Sequence, residues 1–364
     1  MKTQKFEVKI KSGVSKTYPV VIGENVLEKA ESFAEKVSGF TRILVVTNAN
    51  VYKKYGRNLK LKNAVFLQLP DGEKYKNADS LNMILDRALE LKFDRTCAFA
   101  AFGGGVIGDI TGFAASIYQR GIDFIQIPTT LLAQIDASIG GKTAINKPCG
   151  KNLIGTFYQP KLVLSDVKVL DTLDERQFKT GLAEVVKYAF IEKNIDENGA
   201  FFEYLEENMS KINDFDKETL AEVILKCAKI KSTVVQKDER ESGLRAILNF
   251  GHTYAHALEK CSNYEVFTHG EAVAAGMKVA LKAGLLSKTI SQTYYERGIK
   301  LINLAGINMP VHREFTFDEI YEAMKYDKKV KNGKINFVLP VKQGTVKVFD
   351  NVDKTVLKKV MENF

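Results

Sequence analysis

Short apolar segments alternate with amphipathic ones through the first half of the chain. The amphipathic stretches repeat apolar residues at helical intervals, whereas the apolar segments are short and flanked by turn-forming residues. Such alternation predicts a parallel sheet covered by helices. We therefore predict an α/β domain over residues 1–173. It begins with a strand pair at Phe6–Ile10 and Tyr18–Ile22 and a helix at Val26–Val37, and its further strands are Ile43–Thr47, Val65–Leu69, Thr96–Phe102, Phe124–Pro128 and Leu162–Ser165.

The pattern changes after about Asp174. Apolar residues recur at three- and four-residue intervals in Glu175–Leu205, Lys217–Lys237 and Leu244–Lys260, with few β-branched runs. This pattern predicts a mainly α-helical C-terminal domain over residues 174–364. A last pair of apolar runs, Ile335–Leu339 and Thr345–Phe349, predicts a hairpin among the helices.

Composition narrows the class of protein. Hydrophobic residues make up 45% of the chain and charged residues 27%, which is ordinary for a globular protein. The net charge of +9 is spread along the chain without Lys/Arg blocks or tryptophan, so we expect an anionic small-molecule substrate and no nucleic acid. The four cysteines form no C-x-x-C pair, which favours a reducing cytoplasm. We expect neither a signal peptide nor a membrane span, since no long apolar run occurs.

A glycine-rich turn follows the strand predicted at Thr96–Phe102. Gly103, Gly105 and Gly108 fit the pattern G-x-G-x-x-G at the start of a predicted helix. Glycine lets the backbone approach a pyrophosphate, and the helix N-terminus attracts its charge. A tight turn that needs glycine for packing explains the pattern equally well.

Three of the four histidines lie within eighteen positions of one another. His252 and His256 are spaced i, i+4 and would share a helix face, and His269 follows. Clustered imidazoles favour a divalent-metal site over buried core histidines. Thr253 stands where a zinc protease needs glutamate, which argues against that class. The residues alone leave open which two histidines bind, although His252 with His256 is the simplest choice.

Cationic and polar residues cluster among small residues between positions 129 and 155. Asp136, Lys142, Lys151 and Asn152 lie near glycines, where ammonium groups can meet phosphate or carboxylate oxygens. The spacing of a Walker loop is absent from this segment. Taken singly, each lysine is explained as well by a solvated surface position.

Four segments together resemble the signatures of the 3-dehydroquinate synthase family. They are Gly103–Asp109, Thr129–Asn146, Leu244–Thr253 and His269–Val273. The resemblance spans nearly the whole chain, and it implies that the α/β domain is a Rossmann-like variant that binds a dinucleotide. It implies conversion of 3-deoxy-D-arabino-heptulosonate 7-phosphate into 3-dehydroquinate and phosphate, a step of the shikimate route, in a cleft between the two domains. NAD acts there as a catalyst that oxidises a hydroxyl group and later returns the hydride, while phosphate elimination, ring opening and aldol closure complete the reaction.

The resemblance also implies roles for individual residues. One divalent ion, zinc or cobalt, would be bound by Glu184, His252 and His269 rather than by the helical histidine pair, which leaves His256 for proton transfer. NAD contacts would be Asp71, Gly72, Glu73, Lys74, Tyr75, Lys76, Gly105, Val106, Ile107, Gly108, Asp109, Thr129, Thr130, Lys142 and Lys151. Substrate contacts would be Arg120, Asp136, Lys142, Asn152, Lys187, Lys231, Arg245, Asn249 and Lys328.

Two alternatives share this chemistry. A related cyclase would accept another sugar phosphate with the same cofactors, and a metal-dependent polyol dehydrogenase would release NADH. The segment Ser138–Thr143 resembles the dehydroquinate version.

The resemblance to the 3-dehydroquinate synthase family further implies a homodimer.

Overall fold

The computed structural model describes residues 3–10, 16–241, 243–308, 315–325, 335–350 and 352–361. Contacts divide the chain into two compact units. The first comprises Met1–Leu173 and Leu220–Arg240, and the second comprises Asp174–Thr219 and Glu241–Phe364. The predicted division after residue 173 coincides with a boundary between these units. The segment Leu220–Arg240, which the prediction included in the helical domain, makes its contacts within the first unit.

The first unit is built on a seven-stranded sheet. Its strand order is β1-β2-β9-β6-β5-β3-β4, and every neighbouring pair is parallel except β1 with β2. The predicted α/β class is therefore confirmed. The strands are β1 Gln4–Ile10, β2 Lys16–Gly23, β3 Ile43–Asn48, β4 Ala64–Leu69, β5 Ala98–Gly103, β6 Asp123–Pro128, β7 Lys142–Lys147, β8 Gly150–Phe157 and β9 Leu162–Asp166.

Four helices of the first unit connect these strands: α1 Ala30–Val37, α2 Ala49–Tyr55, α3 Ala78–Glu90 and α4 Gly105–Ile117. The core lies between the sheet and helices α3 and α4 and includes Phe99, Phe124 and Ile110, which are almost fully buried. All six residues of β5 are buried. Because helices cover both faces of a parallel sheet, its central strands are continuous apolar runs.

Strands β7 and β8 form a separate antiparallel hairpin, which the sequence patterns did not predict. Most side chains of β8 are exposed or half-buried, so the strand lacks the apolar alternation that marks a half-buried strand. The hairpin packs on α4, where a Cβ atom at Gly112 would lie 2.5 Å from Thr143 Cγ2.

The second unit is mainly helical, as predicted. It contains a two-stranded hairpin close to the predicted positions. Within Glu175–Leu205, which was predicted to belong to the helical domain, the helix that begins at Glu175 ends at Ile191, and residues 195–200 contain a turn. The elements after β9 are α5 Glu175–Ile191, α6 Phe201–Asn213, α7 Lys217–Lys237, α8 His252–Cys261, α9 His269–Leu286, α10 Gln292–Leu304, α11 Phe317–Lys325, β10 Phe337–Lys342, β11 Thr345–Phe349 and α12 Lys354–Met361. Among the described residues, no helix combines the length and the apolar composition that crossing a bilayer requires.

Candidate active site

The carboxyl ends of four parallel strands meet at one edge of the sheet in the first unit. The register aligns the end of β3 with that of β4 and the end of β5 with that of β6. The strand order reverses between β3 and β5, since β4 lies on one side of β3 and the next strand along the chain lies on the other. Crevices at such reversals are where open α/β sheets bind ligands.

The polar residues that follow these strands lie at this edge. Asn48 ends β3, and Asp71 lies just beyond the end of β4. Asn48 Nδ2 donates a hydrogen bond to Asp71 Oδ1 at 3.0 Å. The backbone N–H of Thr129, which follows β6, donates to the carbonyl of Gly103 at 2.9 Å. Asn48 was not among the predicted site residues, although a polar residue directly after a buried strand is a signal that could have identified it.

The glycines of the turn after β5 are needed for different reasons. A Cβ atom added at Gly103 would lie 2.7 Å from Ile107 Cγ1, and one added at Gly108 would lie 3.0 Å from Gln126 Oε1. Packing therefore restricts both positions. At Gly105 the nearest atom would be Ala137 Cβ at 3.6 Å, an ordinary contact. Packing therefore does not explain Gly105, the first residue of α4, where N–H groups lack intrahelical partners and attract anions.

Lys76 connects the glycine turn to the β7–β8 hairpin. Its buried ammonium group lies 2.5 Å from Asp109 Oδ2 and 2.6 Å from Asn152 Oδ1. Burial raises the pKa of Asp109, and the positive charge of Lys76 opposes that rise. Near the same hairpin, Asn146 donates from Nδ2 to Glu73 Oε1 at 2.7 Å. Residues that are distant in sequence thus form one polar network in the first unit.

Replacing Lys76 with methionine should lower the free energy of unfolding by about 2 kcal/mol, because the carboxylate of Asp109 would remain largely buried without its cation. Urea denaturation measures the change. Lys62→Met is the matched control, since its ion pair with Glu35 is mostly exposed and should contribute less than about 1 kcal/mol. Equal stability of the two variants would contradict the assigned role of the Lys76 network.

A second ion pair joins two distant segments of the first unit. Lys231 of α7 places Nζ 2.6 Å from Asp136 Oδ1, and the lysine is almost fully buried. Asp136 lies in a π-helical turn, Ala133–Ala137, that follows β6. The pair is one contact by which this part of α7 is linked to the rest of the first unit.

In the second unit, one carboxylate and two imidazoles converge. Glu184 is fully buried on α5, His252 begins α8 and His269 begins α9. Glu184 Oε1 lies 3.5 Å from His252 Nε2 and 3.4 Å from His269 Nε2. One donor atom from each of the three residues lies within 4.8 Å of the others, an arrangement that could hold a metal ion. These are the three ligands that the family resemblance implied.

The neighbours of these groups set their orientation and charge. His252 Nδ1 lies 3.1 Å from the carbonyl oxygen of Phe250, so an Nδ1–H would donate there and leave Nε2 directed at Glu184. The ammonium group of Lys187 pairs with the other oxygen of Glu184. Burial lowers the pKa of His269, but the carboxylates of Glu184 and Glu259 outweigh it and raise the pKa to about 10. The local field therefore favours a positive charge at this position.

His256 lies beside this cluster. Its ring centroid is 5.5 Å from that of His252 and 6.4 Å from that of His269. The 3-10 helix Leu244–Asn249 precedes α8 and carries Arg245, which is buried, and Asn249, which is half-buried. Asn249 Nδ2 donates to Glu241 Oε1 at 3.0 Å. Several predicted substrate contacts are thus next to the histidine cluster along the chain.

Glycine contacts hold the three helices of the cluster close together. A Cβ atom at Gly270 would lie 2.3 Å from the carbonyl oxygen of Thr180 on α5, and one at Gly276 would lie 1.9 Å from that of Gly251. Gly251 has a φ of 81° at the start of α8. The first half of α9 therefore packs closely against both other elements, and this close approach brings the two histidines to Glu184.

Comparison with known proteins identifies the family. Residues 66–180 match the family model for the N-terminal part of 3-dehydroquinate synthase, and residues 181–330 match the model for its C-terminal part. The chain belongs to the 3-dehydroquinate synthase family. A 3-dehydroquinate synthase of Vibrio atlanticus (strain LGP32) is 44% identical over 353 residues, which cover 95% of this chain and 96% of that protein.

Solved structures of two enzymes related to the 3-dehydroquinate synthase family share the fold. A 2-deoxy-scyllo-inosose synthase complexed with carbaglucose-6-phosphate, NAD+ and Co2+ has a TM-score of 0.85 at 26% identity, covering 99% of this chain and 100% of its own. A 2-epi-5-epi-valiolone synthase from Streptomyces hygroscopicus subsp. jinggangensis, with NAD+ and Zn2+ bound, has a TM-score of 0.85 at 25% identity, covering 97% and 98%.

The remaining predicted site residues of this member of the 3-dehydroquinate synthase family lie in different parts of the fold. Arg120 follows the C-terminal end of α4, roughly 20 Å along the helix from the glycine turn. Lys142 is exposed at the start of β7, and Lys151 is half-buried on β8. Lys328 lies outside the described residues. The roles assigned to these residues stay predictions.

Proposed function

We propose that this protein is a 3-dehydroquinate synthase that converts 3-deoxy-D-arabino-heptulosonate 7-phosphate into 3-dehydroquinate and phosphate, using NAD and one divalent metal ion. The observation that carries the proposal is the convergence of Glu184, His252 and His269 in a chain that belongs to this family. Substrate and products have the same overall oxidation state once phosphate has left. A cofactor that accepts a hydride must therefore return it within one turnover.

The first unit has the features of an NAD site. Gly105 and the N–H groups at the start of α4 suit a pyrophosphate, and they lie at the carboxyl ends of β3 to β6, where Asp71, Asp109 and Thr129 also lie. When bound, NAD supplies a reversible hydride acceptor for the substrate hydroxyl group. Lys76 would fix Asp109 and Asn152 around this site, because its ammonium group contacts both.

The three donor groups of the second unit fit a zinc or cobalt ion. Ligand atoms about 2.1 Å from a tetrahedral ion are separated by about 3.4 Å, close to the 3.4 and 3.5 Å between Glu184 Oε1 and the two Nε2 atoms. Two imidazoles and one carboxylate also leave a coordination position for substrate. When bound, the ion supplies a Lewis acid that stabilises negative charge on substrate oxygens.

The chain's own residues would bind the anionic substrate and move protons. Lys187, Lys231 and Arg245 carry buried positive charges that suit a molecule with both a phosphate and a carboxylate. His256 lies 5.5 Å from the His252 ring, near enough to the cluster to transfer a proton at a substrate oxygen. The substrate's phosphate group can itself act as a base. The main contribution of these cations would therefore be to position the substrate.

We propose that the first unit supplies most NAD contacts and the second unit the metal ligands. We also propose that the protein is a cytoplasmic homodimer, as the family resemblance implies. All four cysteines lie among the described residues and are thiols, which agrees with a reducing compartment. Light scattering after size-exclusion chromatography would measure the mass, and a value near 40.7 kDa, that of one chain, would contradict the dimer.

Purified protein loaded with zinc or cobalt and supplied with NAD should release phosphate from the heptulosonate phosphate and form 3-dehydroquinate. Phosphate release and product absorbance follow the reaction, and NADH absorbance should show no accumulation beyond the amount of enzyme. Absence of product would contradict the proposed function. Stoichiometric NADH would instead indicate a polyol dehydrogenase.

Comparing a second sugar phosphate with the heptulosonate phosphate distinguishes a 3-dehydroquinate synthase from the related cyclases. A phosphorylated hexose without a carboxylate should give no cyclic product, because it lacks one of the two anionic groups by which the proposed substrate would be positioned. Turnover of the hexose phosphate in preference to the heptulosonate phosphate would place the protein among the cyclases of other sugar phosphates.

A further inference from the structure

Glu259 occupies a costly position in the second unit. Its side chain is 8% exposed, and it lies in the last turn of α8. Burial penalises a carboxylate, and the negative end of the helix dipole penalises it again. Such a charge is stable only beside a compensating positive group or a hydrogen-bond donor.

His269 is one such group. Glu259 Oε1 lies 3.6 Å from His269 Nδ1, while the other ring nitrogen, Nε2, lies 3.4 Å from Glu184 Oε1. The imidazole is thus held between two carboxylates, one on each edge of the ring. A proton on Nδ1 directed at Glu259 leaves the lone pair of Nε2 facing the metal site.

The two histidines of the cluster are held in matching ways. In His252 the Nδ1 atom faces the carbonyl oxygen of Phe250 at 3.1 Å, and in His269 it faces a carboxylate. His252 and Glu259 are seven residues apart on α8, so they lie on the same helix face. One helix therefore supplies a proposed ligand and the group that orients the other ligand.

We propose that Glu259 is a positioning residue for the metal site, which fixes the tautomer and ring orientation of His269 and strengthens its Nε2 atom as a ligand. This inference rests on the proposed function, since it assumes that the cluster binds a divalent ion. Carboxylates that accept a hydrogen bond from a ligating histidine commonly raise metal affinity by about 10- to 100-fold.

The test measures zinc affinity rather than turnover. Zinc is titrated into metal-free wild-type protein, Glu259→Gln and Glu259→Leu in competition with a chromophoric chelator, and the visible spectrum of each cobalt-loaded protein is recorded. Glu259→Leu should bind zinc about 10- to 100-fold more weakly than wild type. Glu259→Gln should lie between them, because it keeps a carbonyl oxygen facing Nδ1 of His269 but carries no charge. The cobalt spectrum should change in both variants.

Glu206→Gln is the matched control, because Glu206 is also a glutamate of the second unit with a cationic partner, Arg297 at 2.5 Å. Its zinc affinity should equal that of wild type. Glu259 variants with wild-type zinc affinity and cobalt spectra would overturn the inference and leave the proposed function intact. A wild-type protein that binds no zinc would overturn the proposed metal site itself. If Glu259→Leu does not fold, the Gln variant alone decides the outcome.

Discussion

His269→Ala is expected to abolish metal-dependent activity, with kcat reduced by about a thousandfold or more, the scale on which enzymes lose rate when charge stabilisation is removed. Nε2 of His269 lies 3.4 Å from the buried carboxylate of Glu184, so the substitution removes one of three proposed ligands. NAD affinity should change little, because the proposed NAD contacts belong to the first unit. Turnover with added zinc, bound zinc per chain and NAD titration measure the three quantities.

His256→Ala provides the comparison. Its ring lies beside the cluster without belonging to the group of donor atoms that could share an ion. We expect this variant to retain its zinc while losing activity through impaired proton transfer, by about 100-fold or more. If His256→Ala loses the metal and His269→Ala keeps it, the ligand set is wrong and the helical pair His252 and His256 becomes the better choice.

Gly276→Ala is expected to lower the free energy of unfolding by about 3 kcal/mol, since overpacking a closely packed site costs about this much. The added methyl group would lie 1.9 Å from the carbonyl oxygen of Gly251, a backbone atom that must move to make room. Because Gly251 directly precedes His252, zinc affinity should fall as well. Urea denaturation and zinc titration measure the two effects.

Gly39→Ala controls for the general effect of adding a methyl group. A Cβ atom at Gly39 would have nothing within 4 Å, so the free energy of unfolding should stay within about 1 kcal/mol of the wild-type value. A Gly276→Ala variant as stable as Gly39→Ala would show that α9 does not depend on this close approach.

Some elements were predictable because their signal is local. The central strands of the sheet are apolar on both faces and bounded by turn residues, and β3 to β6 and β9 were predicted within one or two residues. The interruption of the long helical stretch also had a local signal, the turn pair Asn198-Gly199.

Other elements were missed because their stability is not local. The exposed strand β8 is held by pairing with β7 and packing of the hairpin on α4, neither of which leaves an apolar alternation in the sequence. The periodicity of α7 predicted a helix but could not say which unit its apolar face covers. The ion pair of Lys231 with Asp136 is one of the tertiary contacts that link part of the helix to the first unit.

The sequence by itself determined the α/β and helical halves, the glycine turn, the clustered histidines and, through long motifs in order, the family resemblance. Only the tertiary structure decided that Glu184 and His269 come within 3.4 Å of each other, while the His256 ring centroid lies 6.4 Å from that of His269. It also decided that Glu259 faces the second edge of the His269 ring. The physical reason is that helical spacing fixes which residues share a face of one helix. Which helices touch depends on close contacts such as Gly270 against Thr180, which no periodicity encodes.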